Sequence, residues 1–557
     1  MRTVNAFMFI ALSACHLLTF PLQAKNTGKN DAPRIVNIIN FVRAIEPRSA
    51  EITEDVLFET TKQQAAQLKE HRLKGTFLLQ YDALIVPRYQ ELMKNELFEG
   101  SEVGAWWEIT QPHVEAAGLE WRGRYPWDWH ANVGFATGYT PQEREKLVDV
   151  YMEKFKSVFG KYPASVGSWF IDAHTLNYMY EKYHISASCN CKDQIGTDGY
   201  TLWGGYWNQA YYPSKLNAYM PAQTEAGQIN VPIFRMLGSD PIYQYEAGIG
   251  GTTQSVITLE PVYGEAGGNK EWVDYFFKSM LDEPCLSFAY VQAGQENSFT
   301  WDAMKKGLEI QIPILQEMSQ SGKIRVETLG ESGAWFKENF TVTPPTAVVT
   351  MDDVRHSEKR TVWYNSRHYR ANLLWEGAGF RIRDIHKFDE KMQSDYLTKA
   401  GNSTQCIYTT LPLVDGCMWS TQSYTAGLRL FYIDWRGQRH EAKGEIPEIS
   451  EKDGTELTVK WSFADKSARL EITFTEDKME IKCKPGKYIY TWELCLMTAP
   501  ETELPFKYIG GNTIASSYKG FDYSVKLEEG APVDNRQAGR NLVFTLRPNR
   551  NKITLVF

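Results

Sequence analysis

Eight short apolar runs alternate with helical segments between Arg34 and Phe340. Within the helical segments, apolar residues recur every three or four positions, which is the spacing of one face of an amphipathic helix. Strands that are apolar throughout and are separated by helices indicate a parallel sheet buried on both faces. The runs are Ile35–Phe41, Thr76–Gln80, Val103–Ile109, Ser165–Ile171, Ile185–Cys191, Val231–Leu237, Cys285–Val291 and Ile324–Thr328.

Helices are predicted where the 3.6-residue period is clearest. Thr140-Pro141-Gln142-Glu143 opens one of them with a capping box and a proline in the first turn. Others are predicted at Thr53–Arg72, Glu271–Leu281 and Ser298–Ser319. Seven or eight strand–helix units in about 300 residues fit a closed barrel better than an open sheet. A (β/α)7-8 barrel is therefore expected over residues 33–342.

The second half of the chain has a different period. After Pro344-Pro345, apolar and polar residues alternate in segments such as Leu428–Trp435 and Arg469–Thr475, with turn residues between them. This pattern is typical of an antiparallel β-sandwich. The expected fold class is α/β, a (β/α) barrel followed by a C-terminal antiparallel β-sandwich domain over residues 346–557, which we interpret as an accessory domain.

The first 24 residues resemble a signal peptide. Arg2 precedes an apolar stretch from Ala6 to Phe20, and Leu22-Gln23-Ala24 offers a small-residue cleavage site. Export to the periplasm or the cell surface is therefore predicted. Leu12-Ser13-Ala14-Cys15 also resembles a lipobox, which would make Cys15 a lipid-anchored N-terminus, but the apolar residues after Cys15 favour the later cut.

Composition excludes several classes of protein. With 43% hydrophobic and 23% charged residues, the chain is neither disordered, nor collagen-like, nor a multi-span membrane protein. The net charge is −8 and no Lys/Arg-rich run occurs, so the sequence lacks the basic patch that is typical of nucleic-acid-binding proteins. After the N-terminal stretch no run of about 18 apolar residues exists, so no transmembrane segment is predicted. Aromatic residues make up 13% of the chain; they pack cores and also line sugar-binding clefts.

Carboxylates follow nearly every predicted barrel strand. In parallel barrels the loops at the C-terminal ends of the strands converge over one mouth, where active sites lie. The alternative is that an acidic residue starts the next helix, where the helix dipole favours it. Crowded and buried carboxylates raise one another's pKa, so one can stay protonated while another stays ionised, as glycosidic bond cleavage requires. The catalytic candidates are Glu108, Asp172, Asp193, Asp240 and Glu296.

Other side chains near the predicted strand ends are candidates for binding a substrate, which is expected to be an oligo- or polysaccharide. Tryptophan rings can stack on sugars. Arg43 and Arg235 can attract an acidic sugar, although structural ion pairs explain both arginines equally well. The substrate-binding candidates are Arg43, Asp82, Trp106, Trp107, Trp127, Asp128, His130, His174, Arg235 and Gln292, with Trp129 beside them.

Two Asp-x-His pairs are candidates for binding a divalent metal ion. In extended backbone residues i and i+2 point the same way, so Asp128/His130 and Asp172/His174 can each offer two ligands. The alternative is that each histidine donates a hydrogen bond to its neighbouring carboxylate or to substrate. No other cofactor is predicted, because the sequence has no His-x-x-x-His spacing, no Gly-rich phosphate loop after a strand and no Gly-x-Ser-x-Gly elbow.

Four segments resemble the strand signatures of a known superfamily. They are Lys74-Gly75-Thr76-Phe77-Leu78-Leu79, Glu102-Val103-Gly104, Tyr162-Pro163-Ala164-Ser165-Val166-Gly167-Ser168-Trp169 and Thr328-Leu329-Gly330-Glu331. On these segments, residues 33 to 340 resemble the glycoside hydrolase/polysaccharide deacetylase (β/α)7-barrel superfamily. The second half is similar in style to the β-sandwich domains that accompany such barrels in exported Bacteroidetes-type carbohydrate enzymes.

The resemblance implies a carbohydrate-active hydrolase, with departures from the metal-dependent members. Deacetylases of the superfamily carry an aspartate pair after strand one and a His-x-x-x-His motif after strand three, where this chain has Asn40-Phe41-Val42-Arg43 and Glu108-Ile109-Thr110-Gln111-Pro112. Glycoside hydrolases of the superfamily place a nucleophilic carboxylate after strand four and an acid late in the barrel. By position, Asp172 or Asp193 matches the nucleophile, and Asp240 or Glu296 matches the acid.

The expected function is therefore cleavage of a glycosidic bond by paired carboxylates at the barrel mouth. Two alternatives stay open. One is a metal-dependent carbohydrate deacetylase or esterase that uses the Asp-x-His pairs. The other is a glycan-binding barrel without catalysis.

Overall fold

In the computed structural model, which describes residues 32–537 and 541–557, every apolar run of the first half contains a strand. The strands of this half are β1 (Arg34–Val42), β2 (Thr76–Leu79), β3 (Glu102–Trp106), β4 (Ser165–Gly167), β5 (Ala187–Asn190), β6 (Tyr200–Trp203), β7 (Ala210–Tyr211), β8 (Pro213–Ser214), β9 (Asn217–Pro221), β10 (Ile233–Arg235), β11 (Ala289–Ala293) and β12 (Arg325–Glu327).

The predicted helices are present. Thr140 and Glu143 form the expected capping box, in which the Glu143 backbone N–H donates to the threonine hydroxyl and the Thr140 N–H donates to the glutamate carboxylate. Within the described part of the chain, no helix is long and apolar enough to cross a membrane. The helices are α1 (Glu54–Glu70), α2 (Tyr81–Ile85), α3 (Pro87–Asn95), α4 (Gln111–Ala116), α5 (Pro141–Phe159), α6 (Ala173–Tyr183), α7 (Lys270–Leu281), α8 (Trp301–Gln320) and α9 (Leu329–Asn339).

The parallel strands form a nearly closed barrel in the order β11-β1-β2-β3-β4-β5-β10, with β12 beside β1 and β7 antiparallel to β10. Gln209 bridges the remaining gap between β10 and β11. Its backbone carbonyl accepts from Arg235 N at 2.9 Å, and its side-chain oxygen accepts from Tyr290 N at 2.9 Å. A side chain thus supplies the link where strand pairing ends, and the predicted barrel is confirmed.

The strands of the second half pair antiparallel, with the exception of β17. They are β13 (Thr346–Thr350), β14 (Lys359–Asn365), β15 (Tyr369–Glu376), β16 (Gly379–Lys387), β17 (Cys406–Thr409), β18 (Leu411–Asp415), β19 (Gly427–Asp434), β20 (Arg439–Glu441), β21 (Glu448–Lys452), β22 (Glu456–Ser462), β23 (Ala468–Phe474), β24 (Lys478–Pro485), β25 (Ile489–Met497), β26 (Phe506–Gly510), β27 (Thr513–Tyr518), β28 (Phe521–Glu529), β29 (Ala531–Asp534), β30 (Leu542–Arg547) and β31 (Lys552–Val556).

Apart from β17, these strands form two sheets that share one apolar core, as a β-sandwich requires. One sheet has the order β13-β14-β15-β16-β19-β25-β30-β29, and the other β21-β22-β23-β24-β31-β28-β27-β26. Trp461 from the second sheet and Trp492 from the first are both buried in that core. The predicted antiparallel sandwich is confirmed.

The barrel and the sandwich also contact each other directly. Strand β17 of the second half pairs in parallel with β6 of the first. Trp207 and Trp363 stack with their ring centroids 3.9 Å apart. The domain boundary near Pro344-Pro345 stays a prediction. The predicted signal peptide over residues 1–24 and the lipobox cysteine Cys15 lie outside the described residues, so export also stays a prediction.

Candidate active site

The C-terminal ends of the barrel strands surround an open pocket of about 680 Å³. This volume includes space that is open to solvent. Its charged side chains come mainly from the loops that follow β1, β3, β5, β10 and β11, as expected for a parallel barrel. The charged and aromatic lining residues are Arg43, Arg48, Glu108, Lys192, Asp198, Glu260 and Glu296, with Trp127, Trp129, Phe135, Trp169, Tyr200, Tyr263 and Phe299.

Arg43 links two carboxylates of the pocket. Its Nε and Nη2 donate to the two oxygens of Glu108, each at 3.0 Å, and its Nη2 lies 2.9 Å from Oε2 of Glu296. The guanidinium also lies over the Trp127 ring, 4.3 Å from its centroid. Burial alone would lower the pKa of Arg43, but the neighbouring carboxylates outweigh burial and raise it. Arg43 is therefore a fixed positive charge that is already neutralised.

Glu108 is fully engaged by donors. Besides the two bonds from Arg43, its Oε2 accepts from the Gln80 side chain at 2.7 Å. Burial raises the pKa of Glu108 above its usual value, although the charge of Arg43 opposes this effect. A carboxylate with this many partners is suited to holding Arg43 in place.

Glu296 is the least satisfied of the buried pocket carboxylates. It is 4% exposed, and no donor among the described residues is aligned with its Oε2, because the close contact from Arg43 lacks hydrogen-bond geometry. The next residue, Asn297, exchanges hydrogen bonds of 3.0 and 2.8 Å with the backbone of Arg43. The backbone next to Glu296 is thus fixed against the end of β1, while its carboxylate keeps capacity for a ligand.

Glu260 lies in the long loop between β10 and α7 and has only neutral donors. The Gln295 side chain donates to Oε1 at 3.0 Å, and the Thr258 hydroxyl donates to Oε2 at 2.7 Å. Burial raises the pKa of Glu260, and these two hydrogen bonds together with the charge of Lys192 only partly oppose the rise. Glu260 therefore holds its proton more strongly than an exposed glutamate does.

Aromatic rings complete the pocket walls. Trp127 and Trp129 come from the loop after α4, and Trp169 follows β4. Tyr200 is 4% exposed, and burial raises the pKa of its hydroxyl, which stays a proton donor near neutral pH. Flat apolar faces combined with a few polar groups are the combination that recognises a sugar ring.

Asp172 does not line this pocket. It caps the N-terminus of α6, where its Oδ1 accepts from Thr175 N at 2.9 Å and from Arg144 Nη1 at 2.9 Å. Its Oδ2 accepts from the Thr175 hydroxyl at 2.6 Å. Asp172 is therefore an acidic residue that starts the next helix, which was the structural alternative to a catalytic role.

Asp193 is buried in an ion-pair network that joins the two halves of the chain. Its Oδ1 accepts from Arg235 at 2.7 Å and from the Tyr219 hydroxyl, and its Oδ2 accepts from Gly204 N at 3.0 Å and from Arg370 of β15. Burial would raise the pKa of Asp193, but the two arginines outweigh burial and lower it. Neither Asp193 nor Arg235 is among the residues that line the pocket.

Three further candidates at strand ends have local structural partners. Asp240 accepts from Ile242 N, Tyr243 N and the Trp272 indole. Asp82 accepts from Ala44 N and Ala83 N, and burial raises its pKa to about 7. Gln292 accepts from Leu237 N at 2.6 Å and so ties β11 to the loop after β10.

The two tryptophans at the end of β3 are both buried. Trp106 stacks on Phe41 at a centroid distance of 4.2 Å and meets the edge of Trp169, which lines the pocket. Trp107 packs against His113 and Tyr151 of α4 and α5. Of the candidate tryptophans, Trp127 and Trp129 line the pocket itself.

The Asp-x-His pairs do not converge on one point. Asp128 is bound by Arg124, with His130 3.4 Å away, and His174 is paired with Glu145 at 3.0 Å. Burial would raise the pKa of Asp128, but the hydrogen bonds from Arg124 lower it to about 2. In the described part of the chain no three His, Cys, Asp or Glu side chains are grouped to hold a metal ion. The donor set does not fit a divalent metal.

The site thus brings together Arg43, Glu108, Glu296, Trp127 and Trp129 from the expected set, and it adds residues that the sequence analysis did not select. Lys192 directly follows the apolar run of β5. The search for carboxylates after predicted strands therefore reached this segment, but it selected the neighbouring residue Asp193. Glu260 lies far along an irregular loop, where no period or motif marks it. Arg48, Trp169, Tyr200 and Tyr263 also join the pocket.

No family model matches the chain, and no curated protein matches it in sequence. Among solved structures it is similar to a candidate glycoside hydrolase/deacetylase from Parabacteroides distasonis, with 15% identity and a TM-score of 0.50 over 68% of this chain and 90% of that one. Candidate polysaccharide deacetylases also match it over 56% of this chain and 93% of theirs, one from Mycobacterium smegmatis (14% identity, TM-score 0.32) and one from Pseudomonas aeruginosa (10% identity, TM-score 0.36).

The likeness to the Parabacteroides distasonis protein is a likeness of fold. The chain therefore shares its fold with that protein. Because fold does not fix chemistry, the function rests on the side chains of the pocket.

Proposed function

We propose that this protein is a carbohydrate-active hydrolase that cleaves a glycosidic bond in the barrel-mouth pocket. The observation that carries the proposal is the pair Glu260 and Glu296, two buried carboxylates that line one aromatic pocket with different partners. Glu296 lies beside the guanidinium of Arg43, whereas the hydrogen-bond donors to Glu260 are neutral and burial raises its pKa. Two carboxylates in one pocket, one acting as acid and the other as nucleophile or base, are the requirement for this reaction.

In this proposal Glu260 is the general acid that protonates the leaving oxygen. Glu296 is the second carboxylate, acting either as the nucleophile or as the base that activates water. Arg43 places a positive charge beside Glu296, and Glu108 is a positioning residue because it touches Arg43 through both oxygens. The aromatic walls hold the sugar ring against the two carboxylates. Asp172, Asp193 and Asp240 have no part in the mechanism, since their oxygens are bound by structural donors.

The metal-dependent alternative has less support. The Parabacteroides distasonis protein that shares the fold is described by both activities, so the fold is compatible with either. Metal-assisted deacetylation needs a grouped donor set, and the candidate ligands among the described residues are separately engaged by Arg124, Arg144 and Glu145. Glycosidic cleavage needs only the two carboxylates that share the pocket.

Identification of the products tests the proposal. The full chain is incubated with a panel of neutral, acidic and acetylated glycans, and new reducing ends and free acetate are measured in the same samples. We expect new reducing ends from at least one glycan, with a rate that a metal chelator does not change. Acetate release without new reducing ends, abolished by the chelator and restored by a divalent metal, would establish the deacetylase alternative instead.

A pH profile tests the role of Glu260. Because burial raises its pKa, Glu260 keeps its proton above the usual range for a glutamate, and activity should fall as the pH rises through that raised pKa. In Glu260→Gln we expect kcat/KM to fall at least about a hundredfold and the residual activity to lose this alkaline limb. The measurement is kcat/KM against pH for both proteins. An unchanged alkaline limb in Glu260→Gln would assign the titration to another group.

A further inference from the structure

Lys192 is a buried cation in the pocket wall, with no carboxylate within 4 Å of its ammonium group among the residues that the structure describes. It is 1% exposed, and within the same residues its ammonium nitrogen reaches two uncharged oxygens, the Asp193 carbonyl at 3.4 Å and the Gln194 side-chain oxygen at 3.5 Å. Both distances are at the outer limit of a hydrogen bond. Burying an ammonium group without a counter-charge is unfavourable unless a partner compensates for the lost hydration.

The other cations of the pocket are already paired. Arg43 is bound by Glu108 and Glu296, and Arg48 by Glu46 at 2.6 Å. Across the described residues, Lys192 is the one lysine or arginine lining the pocket with no carboxylate oxygen within 4 Å.

The neighbouring acid of Lys192 cannot neutralise it. The carboxylate of Asp193 is directed at Arg235 and Arg370, which belong to the network between barrel and sandwich. Glu260 and Asp198 favour the ammonium form of Lys192 through longer-range electrostatics, but burial outweighs their effect and lowers the pKa of Lys192. Among the described residues, no carboxylate makes direct contact with this donor of three N–H bonds.

We propose that the sugar bound in this pocket carries an anionic group and that Lys192 binds that group. The inference rests on the proposed function and narrows its substrate class to acidic glycans. The anion is the carboxylate of a uronic acid residue or a sulfate ester, which present the same charge and acceptor oxygens. It provides the counter-charge that Lys192 lacks, and a charge-assisted hydrogen bond of this kind is among the stronger polar contacts in proteins. The arginines expected from the sequence to attract an acidic sugar, Arg43 and Arg235, are instead neutralised within the protein.

Titration with monosaccharides tests the inference without any bond cleavage. Glucuronate, glucose 6-sulfate and glucose are titrated into the full chain, into Lys192→Met and into the exposed-lysine control Lys156→Met, and binding is followed by calorimetry. We expect at least one of the two anionic sugars to bind about tenfold more tightly than glucose. Lys192→Met should remove this preference, Lys156→Met should keep it, and Lys192→Arg should restore part of it. The carboxylate and sulfate arms identify the source of the anion.

The stability of the variant separates a lost contact from a lost fold. Methionine fills similar space without a buried charge, so the melting temperature of Lys192→Met should equal or exceed that of the unchanged protein. A preference for an anionic sugar that survives in Lys192→Met overturns the inference, and so does the absence of any such preference up to the solubility limit of the sugars.

The inference and the proposed function fail in different ways. Cleavage of a neutral glycan alone, without anionic binding, would uphold the hydrolase and overturn the role of Lys192. Lys192-dependent binding of an anionic sugar with no cleavage of any glycan would do the reverse.

Discussion

Replacing Glu296 with glutamine is expected to lower kcat about a thousandfold while leaving the melting temperature nearly unchanged. The amide keeps the shape of the side chain but is neither a nucleophile nor a base. Little native stabilisation is lost, because no donor in the described part of the chain is aligned with Oε2 of Glu296. Arg43 keeps its two bonds to Glu108 and so keeps a counter-charge. The measurements are initial rates of reducing-end formation at saturating glycan and thermal melting.

A matched control for this variant is Glu102→Gln. Glu102 is a partly buried glutamate, and burial raises its pKa too, but it lies at the start of β3. There it accepts from the Ser165 hydroxyl at 2.7 Å and from Gly330 N at 2.8 Å, at the end of the barrel opposite the pocket. Its kcat should stay within about twofold of the unchanged protein. If Glu296→Gln keeps more than about a tenth of the turnover, Glu296 is not the nucleophile or base.

The barrel could be predicted because burial on both faces leaves a mark on nearly every residue of a strand. Every residue of the run Ser165–Ile171 is buried, and Thr140 with Glu143 marks a helix start by local hydrogen bonding alone. The insertion that contains β7 and β8 could not be predicted. These strands have only two residues each, too few to show a period, and their positions depend on contacts with distant segments. Trp207, for example, stacks on Trp363 in the second half.

The sequence predicted where the candidate site lies, but it did not predict which of its carboxylates are bound by structural partners. The strand-end rule found Arg43, Glu108 and Glu296, which the structure brings together. The same rule selected Asp172 and Asp193, but their hydrogen-bond partners give both residues structural roles. The partners of Asp172 come from its own helix and from α5, while one partner of Asp193 comes from β15 of the sandwich. No local pattern shows that an arginine so distant in sequence will bind a given carboxylate.

The largest loss of stability is expected from Asp193→Asn. The substitution leaves the buried guanidiniums of Arg235 and Arg370 facing a neutral amide whose NH2 group repels one of them. Removing one partner from a buried ion pair typically costs about 3–5 kcal/mol, because the remaining charge is left uncompensated. Arg370 keeps its two bonds to Asp384, whereas Arg235 has no other carboxylate within 4 Å among the described residues. The free energy of unfolding should therefore fall by about 3 kcal/mol or more.

Urea denaturation, followed by tryptophan fluorescence and by circular dichroism, measures this loss, with Asp198→Asn as the control. Asp198 also follows β5, but it is exposed and forms no ion pair within the described residues, so its unfolding midpoint should stay unchanged. The comparison also decides between the structural and catalytic interpretations of Asp193. If the Asp193→Asn protein unfolds at the same urea concentration as the unchanged protein but has lost its turnover, Asp193 has a catalytic role. A destabilised protein whose folded fraction keeps its kcat would show that the carboxylate serves to join barrel and sandwich.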